Sequence, residues 1–462
     1  MRRLARLLVF SAIAALVVPS VAQAGHTTDP RTSNINPLGH IFEPAITGGL
    51  GGDPNIHTDI AFWGDRAIQG NWDGFRIRDI SDPDNPTPVS WTRCPGNQGD
   101  VLVWDNIVVR SWNTPAGTPG VFGAGTTCDG VPVPPGAVPG VGFEGLHVFD
   151  ISNEANPVLK AQIPLACGSH TATAVPDPDN NRLLVYSSSS AHSNTNPNPP
   201  ATCDWFDIVE VPLDAPENSR FLRAEPSMHT CHDIGVILGD VMRAACAGGE
   251  GFRVFDLSDS LTDPELMHHV TVPTVTIGHS AGFSWDGETI VFGHEPGGGL
   301  EPECTAEDAD EKKSFFFYDT ETGEELGRWT LPRPQGANEN CTLHNYNMMP
   351  LKSGRDVLVS GNYQAGIWVV DFTNPANAKT VAWSDPPPAP VPPGSPFCGS
   401  NGPAGPRCAL AGAWSGYWYD GFIYESNIGE GLNIFELTNM RGGKRISLGH
   451  LNPQTQEFSL KH

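Results

Sequence analysis

The chain has 462 residues, with 27 Lys and Arg against 52 Asp and Glu, for a formal net charge of −25. That balance argues against nucleic acid as a partner, because phosphates are bound by clustered Lys and Arg, and it fits an acidic, solubilising surface. With 51 Gly and 43 Pro and few stretches of helical period, the composition points away from a helical bundle and toward many short strands joined by tight turns.

At the N-terminus, Arg2, Arg3 and Arg6 precede an apolar run from Leu7 to Val18, and Ala22-Gln23-Ala24 reads as a small-residue cleavage site. Residues 1–24 are therefore expected to be a secretory signal peptide. The run is short for a membrane span, and nothing later resembles one. The expectation is a secreted protein, extracellular or periplasmic, beginning near Gly25, with a charge of about −28 once the three leader arginines are gone. Residues 25–56 form an arm before the repeats begin. The sequence leaves open whether this arm adds a strand to the last repeat or wraps a face.

From residue 57 to 462 the chain repeats itself. A glycine, four mostly apolar residues, an acid and a turn recur as GFRIRD (Gly74 to Asp79), GLHVFD (Gly145 to Asp150), GFRVFD (Gly251 to Asp256) and GIWVVD (Gly366 to Asp371). Looser copies are WFDIVE (Trp205 to Glu210), SFFFYD (Ser314 to Asp319) and GLNIFE (Gly431 to Glu436). Repetition at this spacing signals a solenoid, propeller or array. Each copy reads as a buried strand that the acid ends by accepting hydrogen bonds from the next turn.

Two strands and a tight turn precede each copy, and a weaker strand follows it. The units run His57 to Thr92, Gly99 to Leu165, His170 to Arg223, His232 to Val272, His279 to Leu331, His344 to Trp383 and Ala413 to Leu451. The predicted fold is all-β: a seven-bladed β-propeller of four-stranded antiparallel blades, one domain over residues 57–462. Closure into a ring would hide the edge strands.

Counting seven residues back from each first-hairpin turn gives His57, Gln98, His170, His232, His279, His344 and Ala413. Five units thus place a histidine at the same point, and in a propeller equivalent positions on first strands face a shared channel. Convergent neutral imidazoles suit a transition metal, copper or zinc, and an open position beside three ligands permits catalysis. The competing reading is a histidine that bonds a neighbouring blade's backbone and recurs by inheritance. Supporting residues expected near the site are Asp59, Gln98, His229, Asp233 and Glu339. Long insertions, Asn113 to Phe143, Ser190 to Asp204, His294 to Lys313 and Asp385 to Ala409, fall on the same predicted face, where function usually resides.

Ten cysteines in an exported chain imply disulfides. Sequential pairing joins neighbours every time: Cys94 with Cys128, Cys167 with Cys203, Cys231 with Cys246, Cys304 with Cys341 and Cys398 with Cys408. Thiolate ligation at Cys231 is disfavoured, because adjacent strand residues point to opposite sides. No nucleophile elbow, phosphate-binding glycine loop or His-Glu-x-x-His motif is present in the sequence. The aromatics Trp414, Tyr417, Trp418 and Tyr419 are expected to pack between blades.

The G-x4-D strands with their ISDPDNP, ISNEANP and FTNPANA turns resemble the LVIVD-repeat propellers. The resemblance spans nearly all of the mature chain and implies an exported propeller without specifying an activity. The stretch Met228 to Gly235 (MHTCHDIG) is similar to selenium-binding protein and methanethiol oxidase propellers, which implies histidines on inner strands holding copper. The favoured functional expectation is a monomeric exported propeller that binds a small ligand, a metal or an extracellular protein at a histidine-lined, disulfide-braced mouth. The alternative is a copper- or zinc-dependent oxidoreductase or hydrolase using the same histidines.

Overall fold

The computed structural model describes residues 25–43, 55–119, 123–189, 203–389, 398–402, 405–438, 446–458 and 460. The expected leader, residues 1–24, lies outside the described residues, as do most of Ser190 to Asp204 and part of Asp385 to Ala409.

The described chain is all-β, built of antiparallel runs in chain order. The first is His57–Trp63, Arg66–Asn71, Gly74–Asp79 and Thr87–Arg93. The second is Gln98–Trp104, Ile107–Trp112, Gly145–Asp150 and Val158–Pro164. Similar runs start at Ala172–Asp177, Ile234–Ile237, Gly278–Phe283 and Asn345–Met348. The last run has Ala413–Tyr419, Phe422–Asn427 and Gly431–Leu437, joined to the preceding run by a parallel pairing of Asn345 with Ser415.

The repeated motif is the third strand of each run. Its glycine is a steric requirement: a Cβ at Gly74 would lie 1.8 Å from the Thr92 carbonyl oxygen, and one at Gly145 2.1 Å from that of Ile163. Its acid caps the following turn. Asp79, Asp150 and Asp256 each accept hydrogen bonds at Oδ1 from the backbone N–H and hydroxyl of the serine two residues on, and Asp371 does so from Thr373. The acid's short side chain thus replaces the backbone partner that the ending strand lacks.

The two chain ends depart from simple repetition. The last run does not continue to Leu451 as the repeat suggested. Its fourth strand is the arm strand Ile35–Phe42, paired antiparallel with Gly431–Leu437 from Ile35 opposite Leu437 to Phe42 opposite Gly431. Ile35 is fully buried in that position, which explains why the apolar arm takes the place that a strand after Leu437 would have filled. The C-terminal residues go to the first strands instead. His450–Leu451 pairs with Trp63 and Phe62, and Thr455–Gln456 runs parallel to Val236 and Ile237.

Apolar clusters lie between successive runs. One joins the first and second runs through Ile68, Phe75, Val103 and Phe149. Another joins the last run to the first, through Ile60 and Phe62 against Tyr417, Tyr419 and Tyr424; there the Phe62 and Tyr419 rings stack at 4.6 Å. Faces of alternating strand residues are thus buried on both sides of each run, which is where the hydrophobic stabilisation resides.

Candidate functional site

Four of the predicted histidines form a continuous row. His170 and His232 stand two residues before their first strands, His279 is the second residue of Gly278–Phe283, and His344 immediately precedes Asn345–Met348. Ring centroids are 4.2 Å apart for His170 and His232, 4.3 Å for His232 and His279, and 4.4 Å for His279 and His344. The row lines a cavity of about 340 Å³ that also takes in Asp59, Gln98, Asp100, Asp233, Glu295, Tyr363 and Trp414.

Three of the four rings, His170, His232 and His344, have hydrogen-bond partners. His232 Nδ1 lies 3.0 Å from Asp233 Oδ1, and its Nε2 lies 3.7 Å from Glu295 Oε2. His344 bonds the Trp414 carbonyl oxygen through Nδ1, which leaves the Nε2 lone pair facing the Tyr363 hydroxyl at 3.0 Å. The one proton of that hydroxyl goes to Glu295 Oε1 at 2.9 Å, so it is not also donated to His344 Nε2. Bonds of this kind on one ring nitrogen set the tautomer and aim the other, as outer partners of metal-bound histidines do. His279 is different. It is 2% exposed, its Nδ1 has no hydrogen-bond partner, and the nearest carboxylate oxygen, Asp233 Oδ2, is 3.9 Å away.

The electrostatics follow from burial and these neighbours. Burial opposes charge on His232, but the hydrogen bond and charge of Asp233, with the charge of Glu295, raise its pKa above the usual value. Burial, reinforced by His232, His344 and His170, holds His279 well below the ordinary range. Burial lowers His344 to about 3. Burial likewise raises Glu295, against the pull of His232 and Tyr363. His279 and His344 are therefore neutral near pH 7, the state in which imidazole donates a lone pair to a metal. Two sets of three donors close to within 4.8 Å: His232, Asp233 and His279, and His279, Glu295 and His344. A third set, Cys94, Cys128 and His147, offers no thiolates, because its cysteines are bonded to each other.

The other expected residues divide. Asp59, Gln98 and Asp233 line the cavity. His57 does not join the row. Its Nε2 bonds the Glu43 carbonyl oxygen at 3.0 Å and its Nδ1 meets Asn71 Nδ2 at 3.1 Å, so both nitrogens serve the fold, as the competing reading of recurrent histidines anticipates. His229 is exposed on the loop before Ile234. Glu339 caps the backbone N–H of Gly336 and does not line the cavity among its described residues.

Sequence reasoning missed Glu295, Tyr363 and Asp100. Glu295 and Tyr363 follow second strands, Thr289–His294 and Val357–Gly361, so a count from second-strand ends would have found them. Asparagines at or one residue past second-strand ends partner the histidines: Asn71 for His57, Asn113 for His170 at 3.0 Å, and Asn362 for the His344 backbone N–H at 3.2 Å.

One disulfide adjoins this site. Cys94–Cys128, Cys167–Cys203, Cys231–Cys246 and Cys304–Cys341 are bonded as expected. Cys398 stands opposite Cys408 in a two-stranded ladder, and no described cysteine is free. The bond at Cys231 removes it as a ligand and ties down the residue next to His232.

Comparison with known proteins adds a repeat assignment. The family model of the LVIVD repeat matches residues 140–163, the stretch that contains GLHVFD and its ISNEANP turn. No curated protein matches the chain. Among solved structures, the computationally designed Ika8 protein aligns over 84% of this chain and 98% of its own, at 14% identity and a TM-score of 0.41. The likeness of Met228 to Gly235 to selenium-binding propellers gains no support from these matches. The chain is thus an all-β protein that carries an LVIVD repeat, as the recurring strands had suggested.

Proposed function

We propose that this is an exported seven-bladed β-propeller, residues 57–462 with the arm 25–56 completing the last blade, that binds a transition metal and a small ligand at its histidine-lined channel mouth. Support for the ring comes from the apolar cluster between the last and first runs and from the shared register of the first-strand histidines. Support for export comes from the basic-apolar N-terminal sequence and the four disulfides.

One observation carries the metal reading: the Nδ1 of His279 is buried and unpartnered, between two imidazoles at 4.3 and 4.4 Å. A buried polar nitrogen without a partner is costly, and a cation would satisfy it. The donors, imidazole with carboxylate, suit zinc or copper. The expected ligands are His232, His279 and His344, with Glu295 or Asp233 beside them and His170 at the end of the row.

Elemental analysis of protein purified without a histidine tag tests this reading. The expected result is about one zinc or copper per chain, lost in His279→Ala with circular dichroism unchanged. Metal-free protein whose melting temperature does not respond to added zinc or copper would refute it. A second reading, a metal-dependent oxidoreductase or hydrolase, is favoured by the 340 Å³ of space beside the imidazoles, which leaves room for a substrate at an open coordination position.

A further inference from the structure

The cavity has a second character besides its imidazoles. Asp59, Asp100, Asp233 and Glu295 all line it, and no lysine or arginine does among the described residues. Asp233 and Glu295 are balanced by His232. Asp59 and Asp100 have no such cation. Asp59 is 3% exposed and Asp100 4% exposed. Asp59 accepts hydrogen bonds from the Ile60 backbone at 2.9 Å and from Gln454 at 3.1 Å. Asp100 Oδ2 accepts from the Ala172 backbone at 2.6 Å, but its Oδ1 is buried with no hydrogen-bond partner, as is Oε1 of neighbouring Gln98. Burial raises the pKa of both carboxyls, at Asp59 against hydrogen bonds from Tyr417, Ile60 and Gln454, and at Asp100 with the charge of Asp59 added. Buried acids in this position are compensated by a proton or by an arriving cation.

Among the described residues, none of the sets of three donors that close to within 4.8 Å includes Asp59 or Asp100. The cavity is also lined by apolar side chains. Trp72 and Leu410 belong to one buried cluster, with Trp414 and Leu300 against it, and all four line the cavity. Buried acids, aromatic and aliphatic lining and a volume near 340 Å³ describe a site for a cation with an apolar body.

We infer that the channel cavity binds a small organic ammonium, a primary or secondary amine carrying an aromatic or aliphatic body, with its charged head against Asp59 and Asp100 and its body against Trp72, Leu410 and Trp414. This names the ligand class of the site proposed above and rests on the cavity being the binding site. It does not depend on a metal being present.

Calorimetric titration of the full chain, with and without EDTA treatment, tests the inference with three probes of one shape: phenethylammonium, 2-phenylethanol and 3-phenylpropionate. The ammonium is expected to saturate one site, the alcohol to bind at least tenfold more weakly and the carboxylate not at all. Asp100→Asn should weaken ammonium binding about tenfold or more, while the exposed Asp82→Asn should leave it unchanged. If Asp100→Asn does not fold, the ratio between ammonium and alcohol in the unmodified protein decides alone. Equal binding of alcohol and ammonium, or full binding by Asp100→Asn, overturns the inference. So does a melting-temperature rise with calcium and none with the ammonium, which would make the acids an inorganic cation site. Ammonium binding by EDTA-treated protein upholds the inference even where the metal analysis is negative. Bound metal without ammonium binding overturns this inference alone.

Discussion

Gln454 donates a hydrogen bond from its side-chain amide to Asp59 Oδ2 at 3.1 Å, across 395 positions of sequence. The contact joins the C-terminal tail to the first strand of the first run. The residues around Gln454 are tied to other first strands. Asn452 exchanges two 2.8 Å hydrogen bonds with the backbone of Val103, Thr455 donates to the Ala174 carbonyl oxygen at 2.7 Å, and the Gln454 carbonyl oxygen accepts from Val236 N–H at 2.8 Å. The tail thus links strands that lie far apart in the chain.

The tail is therefore expected to be part of the folding unit. Asn452→Ala would leave the buried N–H and C=O of Val103 without partners, at a cost of about 1–3 kcal/mol. Leu451 is 3% exposed, so Leu451→Ala should cost about 2–5 kcal/mol. Urea denaturation followed by tryptophan fluorescence measures both. A change below about 0.5 kcal/mol in each would mean the tail is a passive passenger.

The arm carries an acid-sensitive anchor. Glu43 Oε1 accepts from Arg76 Nε at 2.8 Å, and its other oxygen bonds Arg78. Burial pushes the Glu43 carboxyl up, but Arg78 and Arg76 outweigh it and lower its pKa from 4.5 to about 2. A depressed folded pKa gives stability that is complete above the unfolded value and is lost as pH falls through the folded one. Glu43→Gln should be less stable than the parent at pH 7, and the gap should close between pH 4.5 and 2. Urea midpoints across that range would show a constant gap if the pairing is incidental.

Tyr363 sits between Glu295 and His344, at 2.9 and 3.0 Å. Tyr363→Phe removes the donor and leaves a buried carboxylate oxygen without it. The expected loss is about 1–3 kcal/mol in metal-free protein. Bound metal should reduce that loss by taking over the vacated Glu295 and His344 atoms. Melting curves with and without zinc would contradict this if the loss were the same in both.

The Cys231–Cys246 bond closes a span of 15 residues. Replacing both with alanine should cost about 3 kcal/mol through the freer unfolded chain. It should also loosen His232, so zinc affinity should fall more than it does in a Cys94→Ala/Cys128→Ala variant. Equal affinity in the two variants would separate the bridge from the site.

Much of the fold was legible because it is built from local repetition. Each G-x4-D strand carries its own stop, so GLHVFD could be assigned before any contact was known. Neighbouring insertions supplied the cysteine pairs for the same reason. Counting from a turn placed His170, His232, His279 and His344 in register, because strand residues advance by a constant step.

What could not be read was everything that depends on a second element arriving from elsewhere. His57 shares the register of the row, yet Glu43 and Asn71 occupy both its nitrogens. The arm strand displaced the expected end of the last run because Ile35 buries fully against it. Glu295, Tyr363 and the unpartnered Asp100 oxygen became part of one cavity only when separate runs converged. Sequence by itself determined the strands, their caps and the residues at each repeat position, since these depend on neighbours in the chain. Tertiary structure alone decided which of those residues meet, because burial and pairing are set by partners hundreds of positions away.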